Sequence, residues 1–152
     1  SPGRYTELFF LDEATAFASG HRPCAECRRA DYNQFCLCFD PSKVSKGLPI
    51  AELIDDQLHA ERLTPERRKR SYTASLDELP DAAFVTVPEW GEEALLVWGK
   101  HLLTWSPGGY KERKRRPKNV KVRVLTPRST VRVIQAGYQP AVHASALPYY
   151  PL

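Results

Sequence analysis

The chain has 152 residues with 42% hydrophobic and 26% charged side chains, which fits one folded domain and excludes a disordered chain. No apolar run approaches the roughly 20 residues needed to cross a bilayer, and no signal peptide precedes the first polar stretch, so we expect a cytoplasmic protein with no membrane partner. The formal net charge of +4 combines an acidic part, residues 1–61 with six basic and ten acidic side chains, and a basic part, residues 62–152 with sixteen and eight.

The first third of the chain is predicted to form a short strand followed by short helices. Aromatic and branched residues over 5–10 predict the strand. Asp12 is suited to cap an alanine-rich helix, and Gly20 is suited to end it. A second helix is predicted over 25–35, and the prolines and glycine of residues 39–49 predict a connector.

An amphipathic helix is predicted over 50–63, where apolar side chains recur at helical spacing. These side chains are Ile50, Leu53, Ile54 and Leu58. Pro65 ends the pattern, and residues 64–81 are polar and rich in turn formers, so we expect a mobile connector there.

The second half of the chain is predicted to form a small antiparallel sheet. Residues 83–87 predict one strand, and residues 94–105 predict a hairpin that turns at Gly99 and Lys100. Residues 120–125 alternate valines with basic side chains, which is typical of a strand with one buried face.

A C-terminal helix and a tail follow the sheet. Thr126 and Pro127 are suited to open the helix and Gly137 to close it, whereas the prolines of the last residues predict an extended tail. The sequence therefore predicts a single α+β domain. Its parts are a helical, cysteine-containing half (1–63), the connector (64–81), the hairpin, basic strand and helix (82–138) and the tail (139–152).

The four cysteines lie within fifteen residues of one another, at positions 24, 27, 36 and 38. Clustering without a secretory signal favours reduced thiols or a metal site over disulfides. Cys24 and Cys27 form a C-x-x-C pattern at the start of a predicted helix, where the helix dipole and nearby arginines favour thiolates. Thiolates are preferred zinc ligands, and a structural zinc site needs four ligands. These two cysteines would therefore supply half of a zinc site.

Geometry restricts how that site can be completed inside the chain. If one helix continues through Cys36, that residue lies about 13 Å along the axis from Cys27, too far for one zinc ion. Cys36 and Cys38 can join the site only if the helix ends early and the chain turns back. We therefore expect them to be core residues and His21 to be the third ligand. The fourth ligand is expected from His59, His101, His143 or an absent segment. A purely structural role in the core is the alternative for Cys24 and Cys27 as well.

The residues around the motif resemble half of a known metal-binding domain. Phe9-Phe10, Asp12-Glu13-Ala14 and Gly20-His21-Arg22-Pro23-Cys24-Ala25-Glu26-Cys27-Arg28 are similar in order and spacing to the downstream half of the Ada-type domain. The resemblance covers about residues 6–35 and implies zinc held by Cys24, Cys27 and two upstream cysteines. No cysteine precedes Cys24, so the methyl-accepting residue of phosphotriester repair is missing and that activity is not implied. His21 also replaces the usual aromatic residue.

The chain as a whole resembles an uncharacterised bacterial family that shares the Gly-His-Arg-Pro-Cys-x-x-Cys-Arg-Arg motif and a later Trp-x-Pro-Gly-Gly-Tyr, here Trp105 to Tyr110. That likeness implies a family and no activity. Because the chain contains no methionine, we expect it to be a processed or partial product. An upstream segment is then expected to complete the metal site.

Basic side chains are concentrated in two runs of the second half, Arg67 to Arg70 and residues 111–123. Such runs suggest a polyanionic partner, DNA or RNA, and an aromatic side chain beside them is suited to stack on a base. The predicted contacts are Tyr110, Lys111, Arg113, Lys114, Arg115, Arg116, Lys118, Lys121 and Arg123. A solvated charged loop is the alternative.

Zinc-dependent nucleobase deaminases provide a rival interpretation, because they combine His-x-Glu with Pro-Cys-x-x-Cys. The chain contains His59-Ala60-Glu61 and Pro23-Cys24-Ala25-Glu26-Cys27, but in reversed order, so the fold would be circularly permuted.

The leading hypothesis is a zinc-knuckle-like, nucleic-acid-associated binding or structural protein without assigned catalysis. One alternative is a metal-dependent enzyme acting on nucleic acid or nucleobases, deaminase-like or nuclease-like, with Glu26 or Glu61 as base. Another is an interaction subunit of a larger assembly. The substrate, the choice of DNA or RNA and the oligomeric state do not follow from the sequence.

Overall fold

The computed structural model describes residues 11–62 and 71–149, in which helices come first and a six-stranded antiparallel sheet follows. This arrangement confirms the predicted α+β class. The strand predicted over 5–10 lies outside the described residues. Within the described part, no helix is long and apolar enough to cross a membrane.

The helices of the described part are α1 Glu13–Ala18, α2 Arg29–Phe39, α3 Pro41–Ser45, α4 Ala51–Arg62 and α5 Arg128–Gln135. The predicted ends of α1 are confirmed. Asp12 Oδ1 accepts a hydrogen bond of 2.8 Å from the Thr15 backbone N–H, and Gly20 follows the helix with a φ of 90°. The side chain of Asp12 thus satisfies a donor that the first helical turn leaves free, and glycine adopts the left-handed conformation at low cost.

Helices α1, α2, α4 and α5 pack together around one apolar cluster. Ile54 and Leu58 of α4 are buried as predicted, and so is Ile50 just before it, whereas Leu53 is 41% exposed. The cluster contains Phe17, Phe35, Cys36, Ile50, Ile54, Leu58, Val133, Ile134 and Tyr138.

The strands are β1 Tyr72–Ser75, β2 Phe84–Thr86, β3 Leu95–Trp98, β4 His101–Ser106, β5 Gly109–Arg115 and β6 Lys121–Val124. Their order in the sheet is β1-β6-β2-β3-β4-β5, so β6 is inserted between β1 and β2. The predicted hairpin is confirmed, because Trp98 pairs with His101 across a turn in which Gly99 has a φ of 60°. The strands predicted over 83–87 and 120–125 are confirmed as β2 and β6.

Each face of the sheet builds its own apolar cluster. Valines and leucines of one face pack with Val131 of α5 and with Leu76 and Leu79. On the opposite face, Phe84 and Leu103 pack with residues of α1 and of the 3-10 helix Ala144–Tyr149. The sheet therefore lies between two covering layers, and only its margins are open to solvent.

Three segments differ from the predictions. Residues 64–81 are predicted as a mobile connector; residues 64–70 lie outside the described part, and residues 71–81 contain β1 and the 3-10 helix Leu76–Glu78. Residues 39–49, predicted as a plain connector, contain α3, and residues 139–152, predicted as an extended tail, contain the 3-10 helix Ala144–Tyr149. The basic run also contains a strand, β5, where no strand was predicted.

The start of α5 is capped from another helix rather than by its own residues. Thr126, predicted to open α5, instead accepts the Phe84 backbone N–H through Oγ1 at 2.9 Å. The carboxylate of Glu61, in α4, accepts the Ser129 backbone N–H at 2.8 Å and also the Ser129 hydroxyl. A carboxylate is favoured at a helix N-terminus, so Glu61 stabilises the packing of α4 against α5.

Candidate functional site

Cys24 and Cys27 lie in one turn that leads into α2. The Arg28 backbone N–H donates to the Cys24 carbonyl at 3.0 Å, which closes a helical turn before the helix proper begins at Arg29. The Cys27 backbone N–H donates to Cys24 Sγ at 3.2 Å. Both cysteines are exposed, whereas Pro23 is buried. The proline thus packs inside the protein, while the two thiols of the turn are exposed to solvent.

Contacts within the turn separate the acidities of the two thiols. The backbone N–H and then the thiol of Cys27 stabilise the Cys24 thiolate and lower the pKa of Cys24, against an opposing effect of the Glu26 carboxylate. The pKa of Cys27 is raised, because its thiol donates to Cys24 and its own ionisation would add a second negative charge. Cys24 is therefore the residue of the pair that ionises first.

Arg22 holds one side of the turn against α2 and α4. Its guanidinium makes two hydrogen bonds to the Asp55 carboxylate, of 2.7 and 3.0 Å, and donates to the Pro23 carbonyl at 2.9 Å. The same group lies 5.1 Å from the centre of the Tyr32 ring. This bidentate pairing fixes the direction of the chain as it enters the turn.

Arg28 holds the other side of the turn against α1. Its Nη1 lies 2.7 Å from Oε2 of Glu13, and its Nε donates to Asp31 at 3.0 Å. Glu13 is only 8% exposed, and its carboxylate also accepts the Tyr138 hydroxyl at 2.8 Å and the Ala141 backbone N–H at 2.9 Å. The buried carboxylate thus connects the cysteine turn to the C-terminal segment.

Asp12 makes a parallel set of contacts beside Glu13. Besides its helix cap, Oδ2 of Asp12 accepts the Tyr110 hydroxyl at 2.7 Å and the His143 backbone N–H at 2.9 Å. We refer to Asp12 and Glu13 as the carboxylate pair. The sequence indicated Asp12 as a helix cap only, and no local pattern signals that these two side chains join segments about a hundred residues apart.

The predicted trio of His21, Cys24 and Cys27 is not assembled. Among the residues that the structure describes, no group of three or more His, Cys, Asp or Glu side chains is arranged to hold a metal ion. Partial burial and the nearby charge of Arg62 lower the pKa of His21. The described donors at this motif are two thiols, which fit only half of a four-ligand zinc site.

Cys36 and Cys38 lie on α2, which runs without interruption to Phe39. The chain therefore does not turn back toward Cys27, which a zinc site containing Cys36 or Cys38 would require. Cys36 is 4% exposed in the helical cluster, which confirms its predicted core position. Cys38 is half-buried, and its Sγ lies 3.9 Å from the Ala136 carbonyl oxygen.

In the described part of the chain, the residues of the deaminase interpretation do not come together in one site. His59 is exposed on α4, and Glu61 is engaged with Ser129. Neither side chain joins Cys24 and Cys27 in a metal-binding group there. His101 and His143, also considered as ligands, make local contacts instead: His101 Nδ1 with the Tyr149 carbonyl and His143 Nδ1 with the Ser145 hydroxyl.

Most cations of the run from 111 to 123 are exposed. They are Lys111, Arg113, Arg115, Lys118, Lys121 and Arg123. In β6, Val122 and Val124 are buried while the two alternating cations face outward, as predicted. Arg123 donates to the Ser71 hydroxyl at 3.1 Å. One exposed carboxylate, Glu112, lies within the run.

The prediction that Tyr110 stacks on a base is wrong for this structure. Tyr110 is 4% exposed, its ring stacks against Phe84, and its hydroxyl donates to Asp12. Burial, followed by the charge of Asp12, raises the pKa of Tyr110. The residue lies on the covered side of β5, so it belongs to the core although basic residues follow it in the sequence.

Two cations of the run are also used internally. The guanidinium of Arg116 donates to the carbonyls of Gly99 and Leu79, at 3.2 and 2.9 Å, and to that of Leu76. It thereby links the end of β5 to the segment that follows β1, at the opposite edge of the sheet. Lys114 Nζ lies 3.3 Å from the Glu93 carboxylate and 5.3 Å from the centre of the Trp90 ring. Neither residue is as available to a partner as its neighbours in the run.

Comparison with known proteins gives no match. No family model matches the chain, no curated protein is similar to it, and no solved structure resembles its fold at a significant level. Function must therefore be argued from the contacts of this chain.

Proposed function

We propose that the chain is a nucleic-acid-binding module that contacts backbone phosphates through the exposed cations of β5, β6 and the loop between them. The observation that supports this most strongly is that the exposed strand cations Arg113, Arg115, Lys121 and Arg123 lie on one face of the sheet. Contacts of Lys and Arg with phosphates supply essentially all of non-specific affinity for nucleic acid.

The strand register defines this face. Arg123 pairs with Thr86 of β2, and Arg113 and Arg115 pair with Leu103 and His101 of β4. Residues that are paired across neighbouring strands share a face, and so do alternate residues of one strand. The shared face can be followed through Arg123, Thr86, Phe84, Leu96, Leu103 and Arg113.

The spacing of the two groups of cations suits an extended polyanion. Strands β5 and β6 are separated by β2, β3 and β4, so four spacings of about 4.8 Å place the groups about 19 Å apart along the sheet. That distance corresponds to roughly six base pairs at 3.4 Å each. The covered middle of the face lies between the two groups, so the proposed contacts are at its margins.

Zinc bound by Cys24 and Cys27 stays a prediction that rests on the motif and its resemblance. The described residues provide two thiols, so two more ligands must come from outside the described part or from a second molecule. We assign no step of nucleic-acid binding to the metal and propose no catalysis. An interaction subunit whose basic face meets an acidic protein is the alternative that the same surface allows.

The test measures binding of fluorescent mixed-sequence DNA and RNA, single- and double-stranded, from 50 to 200 mM salt. For three to six phosphate contacts we expect log K to fall with log salt at a slope between about −3 and −5. The double variants Arg113→Glu/Arg115→Glu and Lys121→Glu/Arg123→Glu should each lower affinity by at least about tenfold and flatten the slope.

The matched control is Lys43→Glu/Lys46→Glu, which changes the net charge equally but lies at α3, away from the sheet. It should alter affinity by less than about twofold. A control as damaging as the sheet variants would show that only net charge matters, and unchanged affinity in both sheet variants would rule out the proposed surface. Binding to an acidic protein with none to nucleic acid would favour the interaction subunit.

A further inference from the structure

The cysteine turn has the geometry of a dithiol that can close into a disulfide. The 3.0 Å hydrogen bond from the Arg28 N–H to the Cys24 carbonyl makes the turn helical, and helical geometry places the Cα atoms of residues i and i+3 about 5 Å apart. Disulfides span Cα distances of about 4.4 to 6.8 Å. Cys24 and Cys27 therefore need only side-chain rotation and small adjustments to bond.

The turn is held by contacts that do not involve either thiol. Arg22 is paired with Asp55 on one side, and Arg28 is paired with the buried Glu13 on the other. Pro23, next to Cys24, is buried. Because these anchors involve other side chains, the backbone can keep its course whether the two sulfurs are reduced or bonded.

Accessibility distinguishes this pair from the other two cysteines. Cys24 and Cys27 are exposed, Cys36 is buried and Cys38 is half-buried. In the described part of the chain, the side chains around the pair do not complete a metal site. Two exposed thiols in one anchored turn, with no further ligands among the described side chains, suit exchange with a disulfide better than a closed structural site.

We propose that Cys24 and Cys27 form a thiol–disulfide exchange site whose substrate is the disulfide of a small thiol. The Cys24 thiolate attacks one sulfur of the substrate, forms a mixed disulfide and releases one thiolate. The Cys27 thiol gives up its proton and attacks Cys24 Sγ, forms the Cys24–Cys27 disulfide and releases the second thiolate. The two cysteines lose two electrons and the substrate disulfide gains them, yielding two small thiols once the released thiolates take up protons.

The hydrogen bonds of the turn assign the order of attack. Cys24 Sγ accepts the Cys27 N–H, so negative charge is stabilised on Cys24. Cys27 then lies one turn away in position to resolve the mixed disulfide.

The experiment treats the reduced full chain with oxidised glutathione, quenches with acid, labels remaining thiols and maps them by mass spectrometry. Wild type should lose two thiols, at Cys24 and Cys27, and retain no glutathione, while Cys36 and Cys38 stay reduced. Cys27→Ser should retain one glutathione on Cys24. Cys24→Ser should retain one glutathione on Cys27, and this adduct should form more slowly than the adduct on Cys24 in Cys27→Ser.

The matched control is Cys38→Ser, a variant that lacks one thiol outside the turn. On treatment with oxidised glutathione, this variant should still lose the two thiols of the turn. Thermal melts confirm that each variant is folded. The proposal is overturned if wild type keeps a stable glutathione adduct, or if all four cysteines react alike. It is also overturned if the purified chain carries stoichiometric zinc that protects both thiols, because they are then metal ligands. None of these outcomes depends on whether the basic surface binds nucleic acid.

Discussion

The carboxylate pair and the basic run use charge in opposite ways. Glu13 is buried and has three partners, Arg28 in the first half of the chain and Tyr138 and Ala141 in the second, and Asp12 beside it also receives donors from both halves. Most cations of the run from 111 to 123 instead point to solvent, and in the described part only Lys114 among them forms an ion pair. The carboxylate pair is satisfied within the fold, whereas most cations of the run stay exposed to solvent.

The contrast shows why net charge is a poor guide to function. A buried charge must be satisfied by the molecule itself, since desolvation is costly without partners. An exposed charge costs little and can be kept for another molecule. Within the basic run, Arg116 is satisfied by backbone carbonyls of the same molecule, whereas its neighbour Arg115 is exposed to solvent.

The largest expected effect is that of Glu13→Ala. Removing this carboxylate leaves the Tyr138 hydroxyl and the Ala141 N–H without an acceptor and Arg28 without its buried partner. We expect the free energy of unfolding to fall by about 3 to 5 kcal/mol, measured by urea denaturation. Glu112→Ala, an exposed carboxylate in the basic run, should change it by less than about 0.5 kcal/mol. Equal effects would remove the distinction between the two regions.

The next largest effect on stability is expected from a comparison of two adjacent arginines. Arg116→Ala removes three hydrogen bonds from a charged donor to backbone carbonyls and should cost about 2 to 3 kcal/mol of stability. Arg115→Ala should stay within about 0.5 kcal/mol but weaken nucleic-acid binding. Denaturation and binding curves on the same preparations check both. If Arg116→Ala unfolds no more easily than Arg115→Ala, the internal role of Arg116 is refuted.

A smaller effect appears at alkaline pH. The pKa of Tyr110 is raised by burial above the ordinary value of 10, so the unfolded chain loses this proton before the folded one. Stability is intact below pH 10 and falls as pH rises above it, by about 1.4 kcal/mol per pH unit for this group. Tyr110→Phe should be less stable at pH 7, because it lacks the bond to Asp12, but its stability should decline less steeply above pH 10. Parallel declines would contradict the assignment.

Local signals in the sequence were sufficient for much of the fold. Asp12 and Gly20 mark the ends of α1 because capping depends on the residue itself, and the hairpin at Gly99 follows from turn chemistry. Strands β1 and β5 escaped prediction for a different reason. β1 is short and pairs only with the distant β6, and β5 is a charged edge strand, so neither has the apolar alternation that marks a strand.

The candidate site was predicted in part. The C-x-x-C turn is where its spacing indicated, since four residues suffice to define it. Tyr110 was misassigned because a β5 residue facing the core is indistinguishable, in sequence, from an aromatic residue beside a basic run. Two partners of Glu13, Tyr138 and Ala141, were not foreseeable, because they lie more than a hundred residues away in the sequence.

The contacts of Glu13 and Asp12 also bear on how the chain folds during synthesis. The hydrogen bonds from Ala141 and His143 to these side chains span 128 and 131 residues, so they cannot form until nearly all of the described chain has left the ribosome. Until then α1, which is only six residues long, lacks the hydrogen bonds from Ala141 and His143, and short isolated helices are marginally stable in water. High contact order of this kind slows folding. The cysteine turn, tied to α1 through Arg28, is therefore expected to reach its final geometry among the last parts of the molecule.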